Sequence, residues 1–190
     1  MSENSKTKKF IYKGIVYESE ADRIRLFNAE APDVLKNVVD KLNDSGFFTA
    51  PASTKYHGAY SCGLFDHSLV VTLELLALTE KLGLKWARPE SPWIVGMLHD
   101  LCKVDLYVWD SDHYTYTEGG YINGHGEKSV ILAQRLVTLT DEEIACIRWH
   151  MGAFETDPKM WTYYTNAVHK FANVLYTHTA DMIASHIDGI

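Results

Sequence analysis

The stretch that decides the fold is DHSLVVTLELLALTEKL, residues 66–82. Leu69, Val70, Leu73, Leu76 and Ala77 recur at helical spacing and make a wide apolar stripe along one long helix. Downstream, SPWIVGMLHD (91–100) begins with Ser91-Pro92, an N-cap followed by proline at the first helical position, and predicts a helix through about Asp100. Thr140 and Glu143 have capping-box spacing for a helix ending near Trp149. Further helices are predicted over Gly126–Leu139 and Asn166–Ile187, and over Ala21–Asn43 with an interruption near Pro32.

Between these helices, Phe47–Gly63 is rich in Gly, Ser, Pro and aromatics and reads as a structured loop. Residues 107–124, around Asp110-Ser111-Asp112, read as a small hairpin excursion. Residues 1–10 read as a disordered lead-in, and Phe10–Tyr17 as a short strand or extended arm. The expectation is an all-α bundle with a small β-hairpin excursion: a tail or arm over residues 1–20 and one helical domain over 21–190.

Composition narrows the function classes. The chain has 190 residues, 46% hydrophobic and 23% charged, which suits one globular domain. No apolar run approaches the roughly 18 residues of a membrane span, so no membrane partner is expected. Met1–Lys9 is polar and basic and residue 2 is Ser, which predicts neither a secretory signal nor a myristoyl anchor; a cytoplasmic protein is expected. Cys62, Cys102 and Cys146 are odd in number and widely spaced, so reduced thiols are expected. The formal charge of −7, with basic residues dense only at Lys6, Lys8 and Lys9, argues against duplex nucleic acid. A small anionic substrate stays compatible, because a bound metal adds positive charge that this count omits. Oligomerisation is left open.

His99-Asp100 ends the apolar helix of residues 91–100, where burying an imidazole and a carboxylate is costly unless each is paired or bound to metal. A polar helix end is the plain explanation of that pair taken alone. Its neighbours change the weighing. His67 opens the long helix, His125 and His150 flank two later ones, and Asp181 lies among Ala180, Met182 and Ile183. Imidazoles and carboxylates thus stand on five segments, a mixed ligand set that suits manganese, iron, zinc or cobalt better than magnesium or calcium.

The order His67, His99-Asp100, Asp181 resembles the H…HD…D signature of HD-domain phosphohydrolases. With His125 and His150 it resembles the H…HD…H…H…D variant that binds two metals, found in HD-GYP cyclic-dinucleotide phosphodiesterases and in a small set of di-iron oxygenases. Local phrases match too. GLFDHS (63–68) is similar to the segment at the first histidine of many HD proteins, and LHDLCK (98–103) to the HDxxK run. Pro51-Ala52-Ser53 with His57 resembles a segment of a bacterial 3′–5′ exoribonuclease that carries an HD domain. GHGEKS (124–129) and WHMG (149–152) resemble HD hydrolases of bacteria and their phages. The likeness covers about residues 47–187.

This resemblance implies an HD-domain helical bundle and a metal-dependent hydrolase of phosphate esters, acting on a nucleotide or small phosphate-containing substrate. His67, His99, Asp100 and Asp181 would hold a first divalent transition metal. His125 and His150 would hold a second, with Asp100 shared by both ions; manganese or iron is expected. Lys103 would face the substrate phosphate, making Asp100 and Lys103 the catalytic pair. Metal ions in such sites lower the pKa of water and clamp attacking and leaving oxygens. A di-iron oxygenase on the same scaffold is the alternative, as is a 3′–5′ nuclease acting on short single-stranded ends. A binding module with a vestigial metal site is a third reading, against which the retention of all six ligands speaks. No GYP motif is present, so a cyclic dinucleotide is not implied. His57, Glu127 and His178 are candidates for supporting roles, each with an ordinary structural reading beside it. Tyr114, Tyr116 and Tyr121 either line a pocket or pack, and His113, His169 and His186 read as structural.

Overall fold

The computed structural model describes residues 7–118, 120–122, 124–152 and 158–190. Residues 1–6 of the expected lead-in lie outside the described residues, as do 119 and 123 of the expected hairpin excursion. The described chain is mainly α-helical, with two small antiparallel hairpins. In order, β1 (Phe10–Tyr12) pairs with β2 (Ile15–Tyr17), and α1 (Glu20–Glu30), α2 (Asp33–Lys36) and α3 (Val39–Asp44) follow. After a loop come α4 (Gly63–Leu82), α5 (Ser91–Leu98) and a 3-10 turn (Leu101–Asp105). Strands β3 (Tyr107–Asp110) and β4 (His113–Tyr116) form the second hairpin, with Tyr107 opposite Tyr116. Helices α6 (His125–Gln134), α7 (Asp141–Arg148), α8 (Pro158–Lys170) and α9 (Asn173–His186) complete it. No helix among the described residues is long and apolar enough to cross a membrane.

Helix α4 is the axis, packing most extensively against α5 and α9. Its burial differs from the expected stripe. Leu69, Val71, Thr72 and Leu75 are buried, whereas Val70, Leu73 and Leu76 are half-buried and Ala77 is exposed. Its first two turns, from Gly63 to Leu69, are buried all round, so they have no polar face to contrast with a stripe. Two glycines set how closely the helices approach. A Cβ on Gly96 of α5 would lie 2.6 Å from the Thr72 Cα of α4, and one on Gly126 of α6 would lie 2.0 Å from the Arg148 carbonyl oxygen of α7. These contacts bring His99 against α4 and His125 toward the end of α7.

Capping follows the sequence at α7. Thr140 Oγ1 accepts from the Glu143 N–H (3.3 Å), and Glu143 Oε2 accepts from the Thr140 N–H (2.8 Å). Glu143 also takes the guanidinium of Arg88 and, at 2.8 Å, the Ser91 hydroxyl. Ser91 is therefore not the expected cap: it is the first residue of α5, and its hydroxyl ties α5 to α7. The single helix expected over 166–187 is broken at Phe171-Ala172. No glycine or proline marks the break. Asn173, buried, donates to the Lys85 carbonyl (2.7 Å) and to Glu142 Oε1 (2.9 Å), so tertiary bonds fix where α9 begins.

Candidate metal centre

Four helices deliver the ligand candidates to one point. His67 comes from the second turn of α4, His99 and Asp100 from just past the end of α5, His150 from just past α7, and Asp181 from the middle of α9. His67 Nε2 lies 3.2 Å from Asp181 Oδ1 and 3.6 Å from Asp100 Oδ2. His99 Nε2 lies 3.4 Å from Asp100 Oδ2, and His150 Nε2 lies 3.4 Å from Asp100 Oδ1. His67, His99 and His150 are fully buried, and Asp100 is 2% exposed. Among the described residues three groups have donor atoms within 4.8 Å of one another: His67 with His99 and Asp181, His99 with Asp100 and His150, and Asp100 with Cys102 and His125.

The other ring nitrogens explain how the imidazoles are held. The Nδ1–H of His99 donates to the Gly96 carbonyl (2.8 Å), that of His150 to the Ile147 carbonyl (2.7 Å), and that of His67 to the Ile190 carbonyl (2.8 Å). A carbonyl only accepts, so Nδ1 carries the proton and Nε2 keeps a free lone pair. All three Nε2 atoms, with Asp100 Oδ1, are buried and without a hydrogen-bond partner. Leaving each such atom unsatisfied costs about 1–3 kcal/mol, and an outer bond that fixes the tautomer is the arrangement of metal-ligating histidines. The donor set fits a divalent transition metal.

Burial works to raise the Asp100 carboxyl, but the Lys103 ammonium beside it holds it well below the usual carboxylate range. Lys103 Nζ lies 2.6 Å from Asp100 Oδ2 and is itself buried; burial would lower its pKa, yet the Asp100 charge keeps it above the ordinary lysine value. A cavity of about 790 Å³ lies over this centre, walled by Asp100, Lys103, His125 and Asp181 on one side and by Tyr107 and Tyr116 of the second hairpin on another.

The structure thus brings His67, His99, Asp100, His150 and Asp181 together, and Lys103 with them. His125, at the start of α6, joins through Asp100 and Cys102, its Nδ1 lying 3.5 Å from Cys102 Sγ. Of the lesser candidates, His57 lines the cavity with its ring centroid 4.9 Å from that of His67, and burial above all pushes its pKa down to about 4. His178 lines the cavity and its Nδ1–H donates to the His150 carbonyl (2.7 Å), so it props His150. Glu127 pairs with Arg148. Tyr116 lines the cavity, Tyr114 is buried against Trp109, and Tyr121 is exposed.

Sequence reasoning missed Cys102 beside Asp100 and His125, missed Tyr107, Met151, Met182 and Ser185 of the cavity lining, and read the cavity-lining His186 as structural. A signal was present on α9: positions 178, 181, 182, 185 and 186 follow helical spacing and share one face. Comparison with protein-family models, with curated proteins and with solved structures finds no match for this chain.

Proposed function

We propose that this protein is a metal-dependent phosphohydrolase or phosphodiesterase of the HD superfamily, acting on a nucleotide or small phosphate ester. The observation that carries the reading is the set of three buried Nε2 lone pairs converging on Asp100, each imidazole fixed through its other nitrogen to a main-chain carbonyl. His67, His99, Asp100 and Asp181 would hold one divalent ion, and His125 and His150 would serve a second, with Asp100 available to both. When bound, manganese or iron there would lower the pKa of water and polarise a phosphoryl oxygen.

The remaining work falls to the chain's own side chains. Lys103 places a fixed positive charge beside Asp100 at the cavity wall, where charge grows on phosphoryl oxygens during transfer. Tyr107 and Tyr116 offer ring faces to the organic part of the ester, and the cavity is of a size that holds a nucleotide. His178 keeps His150 in place through its carbonyl.

The test begins with metal-stripped protein. Adding Mn2+ raises the melting temperature of the wild type, leaves that of Asp100→Asn unchanged, and restores phosphate release from a panel of mono- and diesters. A protein that binds neither Mn2+ nor Fe2+ refutes the metal centre. Oxygen uptake by the ferrous form, with no ester hydrolysed by either form, replaces the hydrolase with an oxygenase.

A further inference from the structure

His125 is held unlike the other histidines. Where His67, His99 and His150 turn Nδ1 to a main-chain carbonyl, His125 turns Nδ1 to the sulfur of Cys102, 3.5 Å away. Cys102 stands two residues after Asp100 in the 3-10 turn. It is buried, and Ser129 Oγ accepts from its N–H at 3.1 Å. Metal–sulfur and metal–imidazole bonds of about 2.3 and 2.0–2.1 Å at a tetrahedral angle place sulfur and nitrogen about 3.6 Å apart. The pair already stands at nearly that separation. A second observation points to a ligand as well: Asp100 Oδ1, on a side chain buried at the same place, has no hydrogen-bond partner.

We propose that Cys102 is itself a metal ligand, so that Asp100, Cys102 and His125 form a thiolate-containing site for a borderline-soft divalent cation such as zinc, cobalt or ferrous iron. The proposal rests on the metal centre argued above and changes its ligand set. On ligation the S–H proton leaves to the buffer and a sulfur–metal bond forms, with no change of oxidation state. A thiolate in the set turns the second position away from magnesium and calcium.

The probe is Co2+, added to the metal-stripped full chain and followed by absorption. Ligation by Cys102 produces an intense sulfur-to-cobalt charge-transfer band in the near ultraviolet. The band persists in the Cys62→Ala/Cys146→Ala variant, is lost in Cys102→Ser, and is lost or strongly weakened in His125→Ala. Circular dichroism checks that each variant keeps its helices. Cobalt that binds to the wild type with visible ligand-field bands but no charge-transfer band overturns the thiolate site and leaves the metal centre standing. In that case Cys102 and His125 share a plain thiol-to-imidazole hydrogen bond. The wild-type spectrum decides this even if Cys102→Ser fails to fold, and absence of any cobalt binding overturns both readings together.

Discussion

Replacing Arg23 with methionine isolates the ion pair that anchors the first ligand helix. Arg23 on α1 reaches Asp66 in the first turn of α4, with Nε to Oδ1 at 2.8 Å and Nη2 to Oδ2 at 2.7 Å, and neither side chain is exposed to solvent. Nη2 also donates to the Lys8 carbonyl (2.9 Å), and the Tyr60 hydroxyl donates to Asp66 (3.1 Å). Removing the guanidinium leaves a buried carboxylate with Tyr60 as its remaining hydrogen-bond donor. Breaking a buried pair in this way costs about 3–5 kcal/mol. For a chain of this size each kcal/mol lowers the melting temperature by roughly 2–4 °C, so a fall of roughly 6–20 °C is expected. Because Asp66 precedes His67, Mn2+ affinity falls as well. Thermal unfolding with and without Mn2+ measures both effects. The double variant Arg23→Met/Asp66→Leu recovers most of the stability, since matched removal of both charges deletes the orphan. A single variant within about 1 kcal/mol of wild type would refute the reasoning.

Gly96→Ala places a methyl 2.6 Å from the Thr72 Cα, so α5 must shift away from α4; a stability loss of roughly 1–3 kcal/mol in urea titration and weaker metal binding are expected. Glu143 is held below the usual carboxyl range, burial opposing and Arg88, Thr140 and Ser91 outweighing it. Its stabilisation is therefore full above the unfolded value of about 4.3 and is lost as pH falls through the lower folded value, so Glu143→Gln loses stability at neutral pH and flattens the acid limb of a stability-versus-pH curve. An unchanged acid limb would count against that role. Lys103→Ala lowers turnover roughly 10²–10³-fold with metal content unchanged, measured by steady-state kinetics beside metal analysis. A raised Michaelis constant at normal turnover would remove Lys103 from the chemistry.

Asp181 stood out because a solvated carboxylate is unexpected between Ala180 and Met182, although a solvent-facing Asp is its plain reading taken alone; it stands 3.2 Å from His67 Nε2. His99-Asp100 was legible for the same reason. The capping box of α7 was legible because both of its hydrogen bonds close within four residues. What could not be read was carried by contacts distant in sequence or by main-chain atoms. Nothing near Asn173 announces that Lys85 and Glu142 will fix the start of α9 there. Nothing near Cys102 announces His125, because the second hairpin lies between them. The stripe on α4 misled because a helix end buried on every side offers no amphipathic contrast.

The three tethered imidazoles differ in when the folding chain can complete them. His99 and His150 bond to carbonyls three residues back, so those tethers form with the local turn. The acceptor for His67 is 123 residues further along the chain and becomes available only when the segment after α9 has docked against α4. Closing a loop of that length is slow compared with forming a helical turn. A nascent chain therefore presents two prepared nitrogens, from His99 and His150, before the His67 ring is locked. The His67 tether, unlike the other two, therefore depends on the segment after α9 lying against α4.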